Sequence, residues 1–240
     1  MKDRSTMLQA IRRSLDTNRA WLEHQVALHG GDAPAGPFQP SALTPVEQFK
    51  AELEALQGHV HWCADPGEAC EKVRDLLVAH EVADVLHWDW GAIPLPGLAD
   101  VIEELGIRSA NGDVLGRPDR VERIRALEPV PFCISGADAA IAESGTLVVV
   151  SGPGRGRLAS LLPPVHLAIL PAEWIVRSLP DAFALLATRF GADVVQRHSN
   201  ITLITGPSRT ADIEQSLTLG VHGPKEIHVV VVGAPSAEGA

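Results

Sequence analysis

Three glycine-rich junctions hold the residues of this 240-residue chain best suited to chemistry. In the first, two extended runs meet at Glu143-Ser144-Gly145, where glycine allows the positive φ of a tight connection. The second run, from Thr146, empties into Gly152-Pro153-Gly154-Arg155-Gly156-Arg157. So little side-chain bulk leaves backbone N–H groups open to an anion, and a guanidinium can grip a carboxylate or phosphate through paired hydrogen bonds. A surface turn without a ligand has the same composition. A dinucleotide fingerprint fits poorly, because Gly154-x-Gly156-x-x-Ala159 reaches Pro163-Pro164 before a helix can form.

The second junction runs from Thr205 through Gly206 to Glu214. A strand ends at Gly206, and Ser208 or Thr210 can cap a helix whose first turn carries Asp212, an acid that suits the helix dipole with or without a ligand. Arg209 opposes that dipole, so it asks for an anionic partner, either a ligand or Asp138 or Glu143. The third junction is Gly220-Val221-His222-Gly223-Pro224, where His222 can act as acid, base or hydrogen-bond donor near neutral pH, or stand solvated.

Other residues weigh less. His59, His61 and Cys63 alternate and would share one face of a strand, but no fourth ligand stands at recognisable spacing, and a partly exposed edge strand explains them equally well. No metal site is assigned on that pattern. Trp88-Asp89-Trp90 and Trp62 read as a packing cluster, with Trp90 before Gly91 able to border a pocket. A Gly-x-Ser-x-Gly elbow, a phosphate-binding Walker loop and His-Glu-x-x-His are all missing.

The elements that must position these groups follow from periodicity. Leu8, Ile11, Leu15 and Leu22 mark an amphipathic helix over residues 3–28, and residues 30–45 hold too many Pro and Gly to continue it. Val46, Phe49, Leu53 and Leu56 repeat the helical spacing from Pro45. Residues 60–63, 82–88, 137–151, 167–170, 201–205 and 227–232 read as strands; 67–80, 98–105, 121–127, 173–190 and a short stretch after Thr210 read as helices. The expected architecture is α/β, a three-layer, mainly parallel sheet over residues 45–240, preceded by an N-terminal helix and Pro/Gly-rich linker over residues 1–44.

Composition narrows the function. A net charge of −10 repels nucleic-acid backbones and anionic membrane surfaces. The N-terminus has no secretory pattern, and the longest apolar runs, such as Val229 to Val232, fall far short of the ~20 residues of a membrane helix. Cys63, Cys70 and Cys133 form no CxxC, which fits a reducing, cytoplasmic setting, and they are too few for the four thiolates of an iron–sulfur cluster.

Ala137-Asp138-Ala-Ala-Ile-Ala-Glu143-Ser-Gly145-Thr146, Leu162-Pro163-Pro-Val-His166, Gly206-Pro-Ser-Arg-Thr-Ala-Asp-Ile-Glu214 and Gly220-Val-His-Gly-Pro224, in this order and spacing, resemble the LUD domain, most closely the lactate utilization protein C family. The resemblance implies a fold like that of ribose-5-phosphate isomerases and CoA transferases, in which a hairpin leading into a glycine-rich loop borders the ligand. The isomerase loop carries a Lys where this chain has Arg155 and Arg157, and an Arg holds its proton too tightly to shuttle it. The resemblance further implies a part in oxidising L-lactate to pyruvate beside two companion proteins that carry iron–sulfur clusters, this chain being a cluster-free subunit with no cofactor of its own.

On that reading Glu143 and His222 are the candidate catalytic residues, and Asp138, Gly145, Thr146, Gly154, Arg155, Gly156, Ser208, Arg209, Thr210 and Asp212 the candidate ligand-binding ones, gathered at one rim of the sheet around a small carboxylate or phosphate. Two alternatives stand beside it. One is a stand-alone acyl- or phosphoryl-transfer enzyme with Glu143 as nucleophile or base. The other is a binding module without chemistry, its N-terminal helix serving as the interaction element.

Overall fold

The structure, a computed structural model, describes residues 4–20, 41–112, 119–198, 200–211, 217–220 and 222–233. The chain divides into two units, residues 1–42 and 43–240. In the first, helix α1 (Arg4–Thr17) brings Met7, Leu8, Ile11 and Leu15 to one side, as their spacing requires. Most of the expected linker, and the continuation of this helix toward residue 28, lie outside the described residues.

The second unit is built on six parallel strands. They are β1 (His59–Cys63), β2 (Asp84–His87), β3 (Arg108–Asn111), β4 (Phe132–Gly136), β7 (Val165–Pro171) and β12 (Glu226–Val232), lying side by side in the order β1-β12-β7-β4-β2-β3. Every residue of β4 is buried, as are nearly all of β7 and β12, because a parallel sheet is covered on both faces. On one face Cys63, Leu167, Ile169 and Val230 share a core with Val73 and Leu77 of helix α3 (Pro66–Ala79) and Leu98 and Ile102 of α4 (Leu98–Glu104).

The other face carries a second, smaller sheet in the order β8-β5-β6-β9, from β5 (Ala139–Ile141), β6 (Thr146–Val150), β8 (Ile175–Val176) and β9 (Ile201–Ile204). Its side chains alternate. Ala140 and Leu147 point to the large sheet, where Phe49 and Leu53 of helix α2 (Pro45–Ala55) join them, while Ala139, Ile141, Val148 and Val150 meet Ala182 and Leu186 of α6 (Leu179–Phe190) and Val194 of α7 (Val194–Arg197). The expected mainly parallel sheet between two covering layers is present, one layer being itself built on this mixed sheet.

Local chemistry sets the helix starts. Thr44 and Glu47 cap α2 reciprocally, and Ser178 and Asp181 do the same for α6, each with a proline in the first turn. That box starts α6 at Leu179 rather than near residue 173; residues 172–174 form a 3-10 turn, and β8 pairs with β5. Helix α5 (Arg120–Leu127) stands where its periodicity places it. Arg209–Ala211 (β10) pairs antiparallel with Leu217–Leu219 (β11), so Thr210 lies in a strand; residues 212–216 of the helix expected after it lie outside the described residues.

Strand order creates one switch point. From β2 the chain goes outward to edge strand β3, then returns to the opposite side of β2 as β4 and continues through β7 toward β12. In sheets of this kind the crevice for a ligand opens at the carboxyl ends of the two strands flanking such a reversal. Here those ends are His87 of β2 and Gly136 of β4.

Candidate anion-binding site

The glycine loop that follows β6 lies on this switch point. The Asp89 N–H donates to the Gly154 carbonyl at 2.7 Å, and the Trp88 indole N–H donates to the Gly156 carbonyl at 3.3 Å. Gly154 has φ +71°, and a Cβ there would overlap the Asp89 carboxylate, so two separate demands select glycine. Asp89 in turn accepts from the Asn111 amide at the end of β3. His87 is buried; its Nδ1–H donates to the Trp88 carbonyl, and its ring stacks on Trp90 with centroids 3.7 Å apart. Desolvation lowers the His87 pKa, disfavouring the charged ring beside that indole.

Arg155 anchors the loop. Its Nη1 stands 2.5 Å from Oδ1 of Asp138, whose Oδ2 accepts the Val150 N–H at 2.8 Å, and its guanidinium lies 5.3 Å from the Trp88 ring. Arg189 of α6 donates to the Asp138 peptide carbonyl and packs 3.3 Å over Trp174. Asp138 is only 2% exposed, so its charge is neutralised inside the protein. Arg157, two residues on, lines a cavity of about 240 Å³ together with Arg120, the glycines Gly112 and Gly156, and the apolar Ile124 and Leu158. Two arginines, glycine backbone and short apolar walls suit a small organic acid.

The remaining candidates gather elsewhere. Gly145 and the glycine loop stand at opposite ends of β6, whose five residues span roughly 16 Å. Antiparallel β9 carries Thr205 and Ser208 to the Gly145 end, where the Thr146 hydroxyl lies 2.8 Å from those of both Ser144 and Thr205. Arg209 donates to the Leu56 carbonyl and to Gln57 Oε1 at the end of α2, and Ser208 links to the third junction through the Pro224 carbonyl at 2.8 Å. Glu143 Oε1 accepts the Leu179 N–H at 3.0 Å at the start of α6.

The expected single rim thus becomes two places. One is the crevice with Asp138, Gly154, Arg155 and Gly156; the other fastens α2 and α6 through Glu143, Gly145, Thr146, Ser208 and Arg209. Because Arg209 begins a strand, no helix dipole calls for a ligand there. His222 is an exposed loop residue, and the Thr210 side chain and Asp212 lie outside the described residues. Arg120 and Asn111 were not singled out by sequence, since a basic residue opening a polar helix and a polar residue ending an edge strand both read as surface. The sequence signal for Arg157 was its place in the glycine loop.

The glycine loop lies at the switch point of the parallel sheet, the place where open α/β sheets commonly take a ligand. The LUD domain family model matches residues 46–232. A lactate utilization protein C of Halalkalibacterium halodurans is 30% identical over 68% of this chain and 68% of its own length, and that of a Geobacillus strain is 31% identical over 69% and 68%. That of an Exiguobacterium strain is 44% identical over 40% of this chain, an alignment that spans only 41% of the relative's length. A crystal structure of a DUF162 family protein from Deinococcus radiodurans shares the fold, with a TM-score of 0.56 and 21% identity over 79% of this chain and 96% of that one. The chain belongs to the LUD domain family, among its lactate utilization protein C sequences. Among the described residues, no helix is long and apolar enough to cross a membrane.

Proposed function

We propose that this chain serves lactate utilization by holding a small organic anion of the size of lactate or pyruvate in the crevice beside the glycine loop. The observation that carries this reading is the cavity of about 240 Å³ that Arg120 and Arg157 line at the end of β3, against the backbone of Gly112 and Gly156. A carboxylate takes paired hydrogen bonds from a guanidinium, and a two- or three-carbon body fits beside Ile124 and Leu158. The relatives' name supports the metabolic context, and the cavity's basic lining supports the choice of an acid as ligand.

On the same reading the chain is a cytoplasmic, cluster-free subunit, and the two electrons released as lactate becomes pyruvate pass to two iron–sulfur companion proteins. Its own three thiols fall short of a cluster's four, and Cys63 and Cys133 are buried in the core. A stand-alone transfer enzyme centred on Glu143 has less support, because that carboxylate already accepts a helix N–H.

Calorimetric titration of the purified chain with lactate, pyruvate and inorganic phosphate tests the ligand, and affinity purification from lactate-grown cells tests the company. The reading expects saturable heat with one of the organic acids and co-purification of iron–sulfur proteins. Flat heats with all three anions would remove the ligand from the account.

A further inference from the structure

At the opposite, amino-terminal edge of the large sheet, one face carries a cluster that the crevice does not use. His59 opens β1 and is the register partner of His228 on β12, while Glu226 lies two residues before His228 and so points the same way. The His59 and His228 rings stack with centroids 4.7 Å apart. One ligand atom each from His59, Glu226 and His228 lies within 4.8 Å of the others. His80, the C-cap residue of α3, places its Nε2 3.5 Å from the same Glu226 oxygen.

We propose that His59, Glu226 and His228 form a binding site for a divalent transition-metal ion of the zinc type. Two imidazoles and a carboxylate are a donor set this ion class selects, and three protein ligands leave one position for His80 or water. Ligands at about 2.0–2.1 Å from zinc sit roughly 3.4 Å apart, so side-chain adjustments on the order of 1 Å complete the site. His228 is already oriented for it. Its Nε2 faces Glu226 Oε1 at 2.7 Å, and its Nδ1 is 3.0 Å from Nε2 of His61, which can hold the ring and its tautomer from behind while Nε2 binds metal. The interior of a parallel sheet is ordinarily apolar, and stacked imidazoles around a carboxylate at the strand starts are a departure that a bound cation explains. Cys63, on the same face, is buried in the apolar core farther along β1 and takes no part.

The test uses the full chain, stripped with a chelator and titrated with Zn²⁺ by calorimetry and with Co²⁺ by visible absorption. We expect one tight equivalent, an intense Co²⁺ band of the low-coordinate kind, and a melting temperature raised by Zn²⁺. His59→Ala and Glu226→Gln, the first at an exposed position and the second nearly isosteric, should each weaken binding at least tenfold and remove the band, with metal-free melting temperatures near that of the wild type. His61→Ala should weaken binding while leaving the stoichiometry at one, and His198→Ala should change nothing. Equal Zn²⁺ affinity in the wild type and in the His59→Ala/Glu226→Gln double variant, or no binding by the wild type, would overturn the proposal.

Discussion

Asp138 Oδ1 stands 2.5 Å from Arg155 Nη1 at the bottom of the glycine loop, with the carboxylate 2% exposed and the guanidinium side chain 23%. The sequence offers both residues as ligand contacts, and the structure gives them to each other. Arg155→Ala leaves the buried Asp138 carboxylate with the Val150 N–H and, 3.9 Å from Oδ1, Arg189 Nη2, so the loss should approach but not exceed about 3–5 kcal/mol. Urea unfolding of Arg155→Ala should show a loss of that order, and Arg155→Ala combined with Asp138→Ala should cost less than the sum of the singles. Strict additivity would mean that the pair does not hold the loop.

Two glycines with positive φ should respond differently to a methyl group. At Gly145 (φ +59°) a Cβ would come 2.5 Å from the Leu53 backbone nitrogen in α2, and backbone cannot step aside. At Gly154 (φ +71°) it would meet the Asp89 side chain, which can rotate. Gly145→Ala should therefore lower stability by roughly 2–4 kcal/mol and Gly154→Ala by less, with the latter perturbing the crevice instead. Denaturant midpoints of the two variants check the order.

Glu143 separates a capping role from a chemical one. Because its Oε1 accepts the Leu179 N–H, Glu143→Ala should cost about 1 kcal/mol, whereas Glu143→Gln, which keeps an oxygen there, should cost little. A carboxylate acting as base or nucleophile would lose function equally in both variants. Thermal melts beside anion titrations distinguish the cases.

Acid should weaken the fold through His166. This fully buried ring on β7 faces Ser135 Oγ at 2.8 Å and, among the described residues, has no hydrogen-bond partner at Nδ1, and desolvation pushes its pKa from 6.5 down to about 4. The unfolded chain thus takes up a proton at higher pH than the folded one. The neutral ring's contribution is complete above pH 6.5 and is lost as pH falls through 6.5 toward 4, a change of about 3 kcal/mol. Urea midpoints between pH 7 and 4.5 should fall more steeply for the wild type than for His166→Gln. Parallel slopes would show that the ring titrates without penalty.

The residues that were legible in sequence are those whose local chemistry is sufficient. The Gly152–Arg157 composition announces a loop that backbone can approach, and the hairpin at Glu143–Gly145 follows from the glycine. Strand β4 leaves little mark in the sequence, because Phe132–Gly136 is five residues long and contains Ser135, which gives it neither clean alternation nor an uninterrupted apolar run. The division of the candidates into two places depends on β9 pairing antiparallel with β6 and on α2 docking at Gly145, contacts between segments about fifty and about ninety residues apart that leave no local mark. Arg209 is a similar case: an acidic stretch after a cap residue reads as a helix start, but Arg209–Ala211 pairs with Leu217–Leu219 as a strand.

The location of the anion site is decided most directly by titrating lactate and pyruvate into the wild type, Arg157→Ala and Arg209→Ala under identical low-salt conditions. The cavity at the end of β3 predicts that Arg157→Ala weakens binding at least tenfold while Arg209→Ala, at the far end of β6, binds as the wild type does. Unchanged affinity in Arg157→Ala with loss in Arg209→Ala would contradict it and move the site to the junction of α2 with Ser208.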